Sequence, residues 1–237
     1  MTLLSICQRV FGETGWPVLA TIATNSDPTA VQIKSLAISE LEALSEKYDW
    51  PQLETEYAFA TVINQSIYAW PSDFRKLSVG SIFDKDEYYQ IKGSIPVDQW
   101  NLRKYGLLSS ISRRRFRVRY VGGTPGIEIT PTPDAVKNVV AVYYTNKYAR
   151  DETNVAKEVY TADTDVSKIP ERLVRLGVKW RFREAKGLDF GAALAEYNAT
   201  ISMIFGAAQA SGDIPIGGNL TGYDELPAGY VPENGFG

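Results

Sequence analysis

The chain has 237 residues, 44% apolar and 22% charged, enough to bury one large core or two small ones. Its single cysteine, Cys7, excludes an intramolecular disulfide, the absence of histidine excludes imidazole catalysis and the usual His-containing zinc sites, and a formal charge of −3 is too small to mark a general polyanion binder. There is no basic region followed by a long apolar run, so neither export nor a membrane span is expected.

Leu3, Leu4, Cys7, Val10 and Phe11 recur at helical spacing and predict a first short helix, stopped by Gly12, Gly15 and Pro17. After a loop to Asn25, Asp27-Pro28 supplies an N-cap and a first-turn proline. Ala30, Ile33, Ala37, Leu41, Leu44 and Tyr48 then form the apolar stripe of a second helix, which Pro51 ends. From Gln52 to about Val159 the period shifts towards two. Tyr57, Phe59 and Thr61 alternate with Ala58 and Ala60, Ile67 to Trp70 runs into Pro71, and Val139 to Thr145 is β-branched and aromatic. These segments predict an antiparallel sheet with turns at Asn64-Gln65, Pro71-Ser72-Asp73, Gly93, Gly122-Gly123 and Pro131 to Asp134, and a short helix over Pro96 to Leu108 at its edge.

Beyond Thr161 two helices joined near Gly187 are expected. Leu173, Leu176, Trp180 and Glu184 mark the inner face of the first, with Arg172, Arg175, Lys179, Arg181, Arg183 and Lys186 spread around a basic exterior. On the second, Phe190, Leu194, Tyr197, Ile201, Ile204 and Ala208 have the spacing of a stripe that packs on a partner helix, and the helix after Asp27 is the expected mate. The expected fold class is α+β: a helical bundle from N- and C-terminal helices (1–51 and 160–208), an inserted antiparallel β domain (52–159) and an extended C-terminal arm (209–237). The arm is rich in glycine and proline and has no lysine or arginine, yet it carries Ile214, Ile216, Leu220, Tyr223, Leu226, Tyr230, Val231 and Phe236. It is read either as a disordered tail or as an arm that orders on a neighbouring subunit.

Neither a phosphate loop nor a dinucleotide fingerprint occurs, and no cofactor is expected. Asp84-Lys85-Asp86-Glu87 and Asp163-Thr164-Asp165 have the chemistry to hold a cation or supply an acid and a base. Both lack a calcium-loop pattern and are read as solvated loop acids, with Asp165 or Ser167 capping the following helix. Asn64, Asn198 and Asn219 begin Asn-X-Ser/Thr triplets, which carry little weight without export.

The strongest charge feature is Arg113-Arg114-Arg115-Phe116-Arg117-Val118-Arg119. In a strand, Arg115, Arg117 and Arg119 share one face while Phe116, Val118 and Tyr120 share the other, so the five guanidinium groups gather without disturbing the core. One reading is contact with DNA phosphate or an acidic partner. The favoured one is an exposed face paired with nearby Asp and Glu, within the subunit or across a subunit boundary.

Several motifs, taken in order, resemble the adaptor (head-to-tail connector) proteins of tailed bacteriophages. They are the opening Met1-Thr2-Leu3-Leu4 with Val10 and Phe11, then Tyr48-Asp49-Trp50-Pro51, Thr61-Val62 with Gln65, and Tyr68-Ala69-Trp70-Pro71-Ser72-Asp73-Phe74. Further along come Arg113 to Tyr120, Thr130-Pro131-Thr132-Pro133, Val142-Tyr143-Tyr144, Thr161 to Asp165, Leu176 to Phe182 and Ala185-Lys186-Gly187-Leu188-Asp189. The resemblance spans about residues 1 to 205 and implies a structural virion protein, not an enzyme. It further implies a homo-oligomeric ring of twelve copies beneath the portal protein, joined to tail nozzle, tube or fibre proteins, with genomic DNA passing through the channel and no membrane partner.

The resemblance also implies that the C-terminal extension reaches the portal, that ring formation waits for the portal, and that the protein passes through the host cytoplasm during assembly. Candidate portal or subunit contacts are Arg172, Arg175, Lys179, Arg181, Arg183, Lys186, Ile214, Ile216, Leu220, Tyr223, Tyr230 and Phe236, with lining of the DNA channel as the second reading of the six basic residues. Two alternatives remain open: a DNA-binding protein led by Arg113, Arg114, Arg115, Arg117 and Arg119, and a glycan hydrolase using a pair from Asp84, Asp86 and Glu87.

Overall fold

Helix ends follow local chemistry. In the computed structural model, which describes residues 2–106 and 113–210, the Thr2 side chain accepts from the Ser5 N–H to start α1 (Leu3–Thr14). Gly15, at φ 75°, ends it in the left-handed conformation that glycine adopts without a Cβ penalty, and its N–H reaches Phe11 O. Gly12 therefore lies inside the helix rather than ending it. The Asp27 carboxylate accepts from the Thr29 N–H and starts α2 (Pro28–Lys47), as its Asp-Pro pair predicts.

Among the described residues a 3-10 turn (Pro51–Leu53), eleven strands and three further α-helices follow: β1 (Glu54–Ala60), β2 (Ile67–Ala69), β3 (Phe74–Leu77), β4 (Phe83–Asp84), β5 (Tyr89–Gln90), α3 (Val97–Tyr105), β6 (Arg115–Val121), β7 (Thr124–Thr130), β8 (Asn138–Thr145), β9 (Ala149–Arg150), β10 (Ala156–Lys157), β11 (Val166–Ser167), α4 (Glu171–Ala185) and α5 (Gly191–Ala210). The described residues thus form an α+β fold with antiparallel strand pairing. Residues 211–237, including Ile214, Ile216, Leu220, Tyr223, Tyr230 and Phe236, lie outside the described residues.

The strands form three small sheets instead of the single sheet expected. β1, β8, β4 and β5 lie side by side with β3 also on β8, while β2, β7 and β6 form a second sheet. Tyr57 stands opposite Ala141 in the first, and Phe116 opposite Ile129 in the second. Both sheets contribute to one apolar core, Tyr68, Trp70, Ile82, Ile91, Phe116, Ile127, Ile129, Val139 and Ala141. Gly122 and Gly123, at φ 59° and 82°, make the two-residue turn between β6 and β7, where both central residues need positive φ. Val118 and Tyr120 share a strand face with buried Phe116 but are 37% and 74% exposed, because β6 runs on past the edge of that core. The third sheet, β10-β9-β11, links residues on both sides of position 159, and Thr2 bridges to Val166 beside it.

A second core lies among the helices. Leu3, Ile6, Val10 and Phe11 of α1, Ile33, Leu41 and Leu44 of α2, and Leu173, Val174, Val178 and Phe182 of α4 meet there, closed below by Trp50, Leu53, Tyr148 and Tyr160. α4 packs against α1, α2 and α5. Its inner face is Leu173, Val174, Leu176, Gly177, Val178 and Phe182, wider than the expected stripe, while Glu184 is exposed because the neighbouring helices do not reach it. The chain reverses at Gly187, and Trp180 meets Phe190 and Tyr197 as α5 folds back along α4. Phe190 precedes α5 rather than belonging to its stripe.

Phe182 has no solvent exposure and meets Phe11 and Trp16 edge-on, with centroids 5.6 and 5.7 Å away. The Phe182→Ala variant is expected to lose about 3–5 kcal/mol, through lost transfer energy and the cavity left behind. Urea unfolding checks this, with a lower midpoint and an unchanged slope.

Candidate functional site

Burial in the helical layer decides what its charges can do. Glu40 of α2, fully buried, receives Arg181 Nε at 2.6 Å from α4 and Tyr197 OH at 2.5 Å from α5. Gly177 makes the space for it: a Cβ there would overlap the Glu40 carboxyl, so the glycine is a packing requirement inside a helix. Burial pushes the Glu40 carboxyl above its usual range, against the pull of Tyr197 and Arg181.

The basic exterior of α4 divides into different environments. Arg181 faces inward to Glu40, and Arg175 and Lys179 both reach Glu13 of α1, Lys179 at 2.6 Å. Arg183 donates through Nε to Asp189 O at 2.6 Å, and Lys186 lies 4.6 Å from the Trp16 ring centroid and 5.4 Å from that of Phe182. Arg172 is exposed.

The acids of Thr161 to Asp165 are not solvated loop acids. Asp165 is fully buried and accepts from the Thr161 and Ala162 N–H groups at 2.7 and 2.8 Å and from Lys157 Nζ at 2.8 Å. Burial alone would push its carboxyl up, but Lys157 and the two N–H groups outweigh it and hold it below the usual aspartate range. Asp163 Oδ1 accepts from the Ile22 and Ala23 N–H groups, while Asp163 O and Asp165 O accept from Leu4 and Leu3. The segment therefore clasps the N-terminal residues. Neither Asp165 nor Ser167 caps α4, which begins after Pro170 without a side-chain cap. The Ser167 hydroxyl instead bonds with Ile169.

The arginine strand is held by carboxylates of its own subunit. Glu128, 1% exposed on β7, receives Arg117 Nη2 at 2.6 Å, Lys104 Nζ at 3.0 Å and Arg119 Nη1 at 3.2 Å. Arg117 also stacks over Trp100, 4.4 Å from the ring centroid. Arg114 turns the other way, to Asp84, Glu87 and Asp134, and Arg113 lies 5.7 Å from the Tyr89 ring centroid. Arg115 pairs with Thr130 across the ladder. Arg117 and Arg119 thus serve one cluster and Arg113 and Arg114 another, instead of one patch.

Asp84 is buried, not solvated, and its Oδ1 accepts the Asp86 and Glu87 N–H groups at 3.0 Å each. Asp86 accepts from the Asn138 N–H at 2.8 Å, and Glu87 pairs with Lys137 at 3.1 Å. The three carboxylates close a turn beside β8, with Arg114 shared by Asp84 and Glu87.

Reading the chain alone missed Glu40, Gly177 and Glu128. A glycine inside a helical pattern signals a close approach, and Gly177 carried that signal. Glu40 adjoins the α2 stripe, and Glu128 interrupts the apolar run of Ile127 and Ile129, but which cation reaches either depends on tertiary packing.

Against models of known protein families, residues 1–215 match the one described as SU10 adaptor protein. No curated protein matches the chain. Among the described residues, no helix is long and apolar enough to cross a membrane.

Two outcomes are expected. The Gly177→Ala variant should be destabilised by about 1–3 kcal/mol from overpacking against Glu40. In a Glu40→Ala background the same change should instead stabilise by up to about 1 kcal/mol, the helix preference of alanine over glycine, and a double-mutant cycle in urea reads the reversal of sign. Because the Asp165 carboxyl is depressed in the folded state, its contribution is present above the unfolded aspartate value of about 3.9 and lost as pH falls through the lower folded value. Asp165→Asn should cost about 3 kcal/mol at neutral pH and flatten the acid limb of a melting-temperature profile below about pH 4.

Proposed function

The chain belongs to the SU10 adaptor protein family, a phage head-tail adaptor family, and on that premise we propose that it is a structural virion protein whose ring joins the portal at the capsid vertex to the tail. The ring has twelve copies and surrounds the channel through which genomic DNA leaves. The N- and C-terminal helical parts (1–51 and 160–208) form the bundle that docks to the portal, the β part (52–159) faces tail nozzle, tube or fibre proteins, and residues 209–237 act as an arm that gains order on binding. Ring closure buries a head-to-tail interface of rotational symmetry.

The family match carries this reading, since it runs from residue 1 to 215 and takes in both helical parts and everything between them. Arg172, Arg175, Lys179, Arg181, Arg183 and Lys186 are proposed portal or subunit contacts, Arg172 directly through its exposed guanidinium and Arg181 by setting α4 against α2. The proposed arm contacts are Ile214, Ile216, Leu220, Tyr223, Tyr230 and Phe236. The engagement of Arg114, Arg117 and Arg119 by Asp84, Glu87, Asp134 and Glu128 favours a structural over a DNA-binding role for the arginine strand.

Light scattering with negative-stain imaging tests the proposal on the purified protein, alone and mixed with the portal of the same phage. A ring formed only or mainly with portal is the expected result. A monomer indifferent to portal would overturn the reading, and duplex binding that weakens steeply with salt would then favour the DNA-binding alternative.

A further inference from the structure

Glu128 gathers more positive charge than it neutralises. Its two oxygens receive Lys104, Arg117 and Arg119, and Arg103, half-buried beside Lys104 on α3, has no hydrogen bond or ion pair among the described residues. Four cations therefore meet one carboxylate. Asp134 pairs with Arg114 instead, and Asp98 lies about 140° around α3 from Arg103 at roughly 100° per residue. Residues 107–112, Leu-Leu-Ser-Ser-Ile-Ser, bring no acid. The surplus borders a cavity of about 180 Å³ where α3 packs on β7, with Trp100, Arg103 and Lys104 on the helix side, Ser66, Thr130 and Thr132 on the sheet side, and Glu128 among them. Trp100 is 1% exposed, and its indole N–H has no acceptor among the described residues. Both Glu128 oxygens are occupied, so the wall is rich in donors and short of an acceptor.

We propose that this cavity binds a phosphate group. Arg103 and Lys104 supply the charge, and donors that converge from helix and sheet suit a tetrahedral oxyanion better than a planar carboxylate, which one arginine fork satisfies alone. Glu128 fixes Lys104 before the ligand arrives, so less ordering is left to binding. The cavity is smaller than the roughly 300–1,000 Å³ of sites that enclose a drug-sized ligand, so it takes the phosphate and not the body of a nucleotide. A free phosphate ion and a nucleic-acid backbone offer the same group, and the titrants below separate them. Every residue of the site belongs to one subunit, so phosphate binding and portal-dependent ring formation succeed or fail separately.

Isothermal titration calorimetry on the full-length protein tests this, with inorganic phosphate and, separately, a short DNA duplex as titrants. Wild type is expected to bind inorganic phosphate, and Arg103→Ala to bind it at least about tenfold more weakly. Arg103 has no partner to lose, so this variant should fold, and melting curves check that it does. Trp100→Phe keeps a ring beneath Arg117 but removes the indole N–H, and should weaken binding by about threefold or more. Arg9→Ala, which removes an exposed guanidinium on α1, should leave binding unchanged. Binding of the duplex but not of inorganic phosphate, with the same loss in Arg103→Ala, would support the site and assign the group to a nucleic-acid backbone. Binding of neither titrant, or binding that Arg103→Ala leaves unchanged, would overturn the proposal.

Discussion

A carboxylate taken out of water between three helices constrains the helical part of this protein more than any apolar contact does. Glu40 comes from α2, and its partners come from α4 and α5, so the three helices satisfy it only in one register. Removing a buried acid's partner leaves a desolvated charge, which costs more than the loss of an ordinary contact. Gly177 is the counterpart of that demand, because only a residue without a Cβ lets α4 approach the acid so closely. Apolar burial from Leu3 to Phe182 supplies the attraction between helices, at roughly 1.5–3 kcal/mol for each large side chain. The acid selects which of the many apolar arrangements is kept.

The same economy recurs where chain segments distant in sequence must stay together. Asp163 and Asp165 tie the N-terminal residues and the loop after α1 to the approach to α4. Asp73 accepts from Tyr143 and Thr145 across the first sheet, and Glu128 collects Lys104 of α3 and two arginines of β6. Each acid is shielded and multiply bonded, which makes these contacts more durable than exposed ion pairs. Such cross-links join separate elements rather than extend one.

Membership of the SU10 adaptor family gives these contacts their setting. On the proposed reading, the carboxylates that engage the arginine strand leave the charges of the helical face and the arm to meet partners.

Much of the local structure was legible in the chain itself. Asp27-Pro28 marked the start of α2, Gly122-Gly123 marked the β6–β7 turn, Pro96 and Gly106 bracketed α3, and the reversal fell at Gly187, because caps, turns and glycine conformation depend on a few adjacent residues. The α+β class followed from the change of hydrophobic period. Tertiary structure alone decided which acid meets which cation: that Asp84 and Asp165 are buried rather than solvated, that Val118 and Tyr120 stand clear of the core while Phe116 does not, and that the strands divide into three sheets. These outcomes depend on groups up to 162 residues apart along the chain, as in the Glu13–Arg175 pair, where neither periodicity nor composition records which partner arrives.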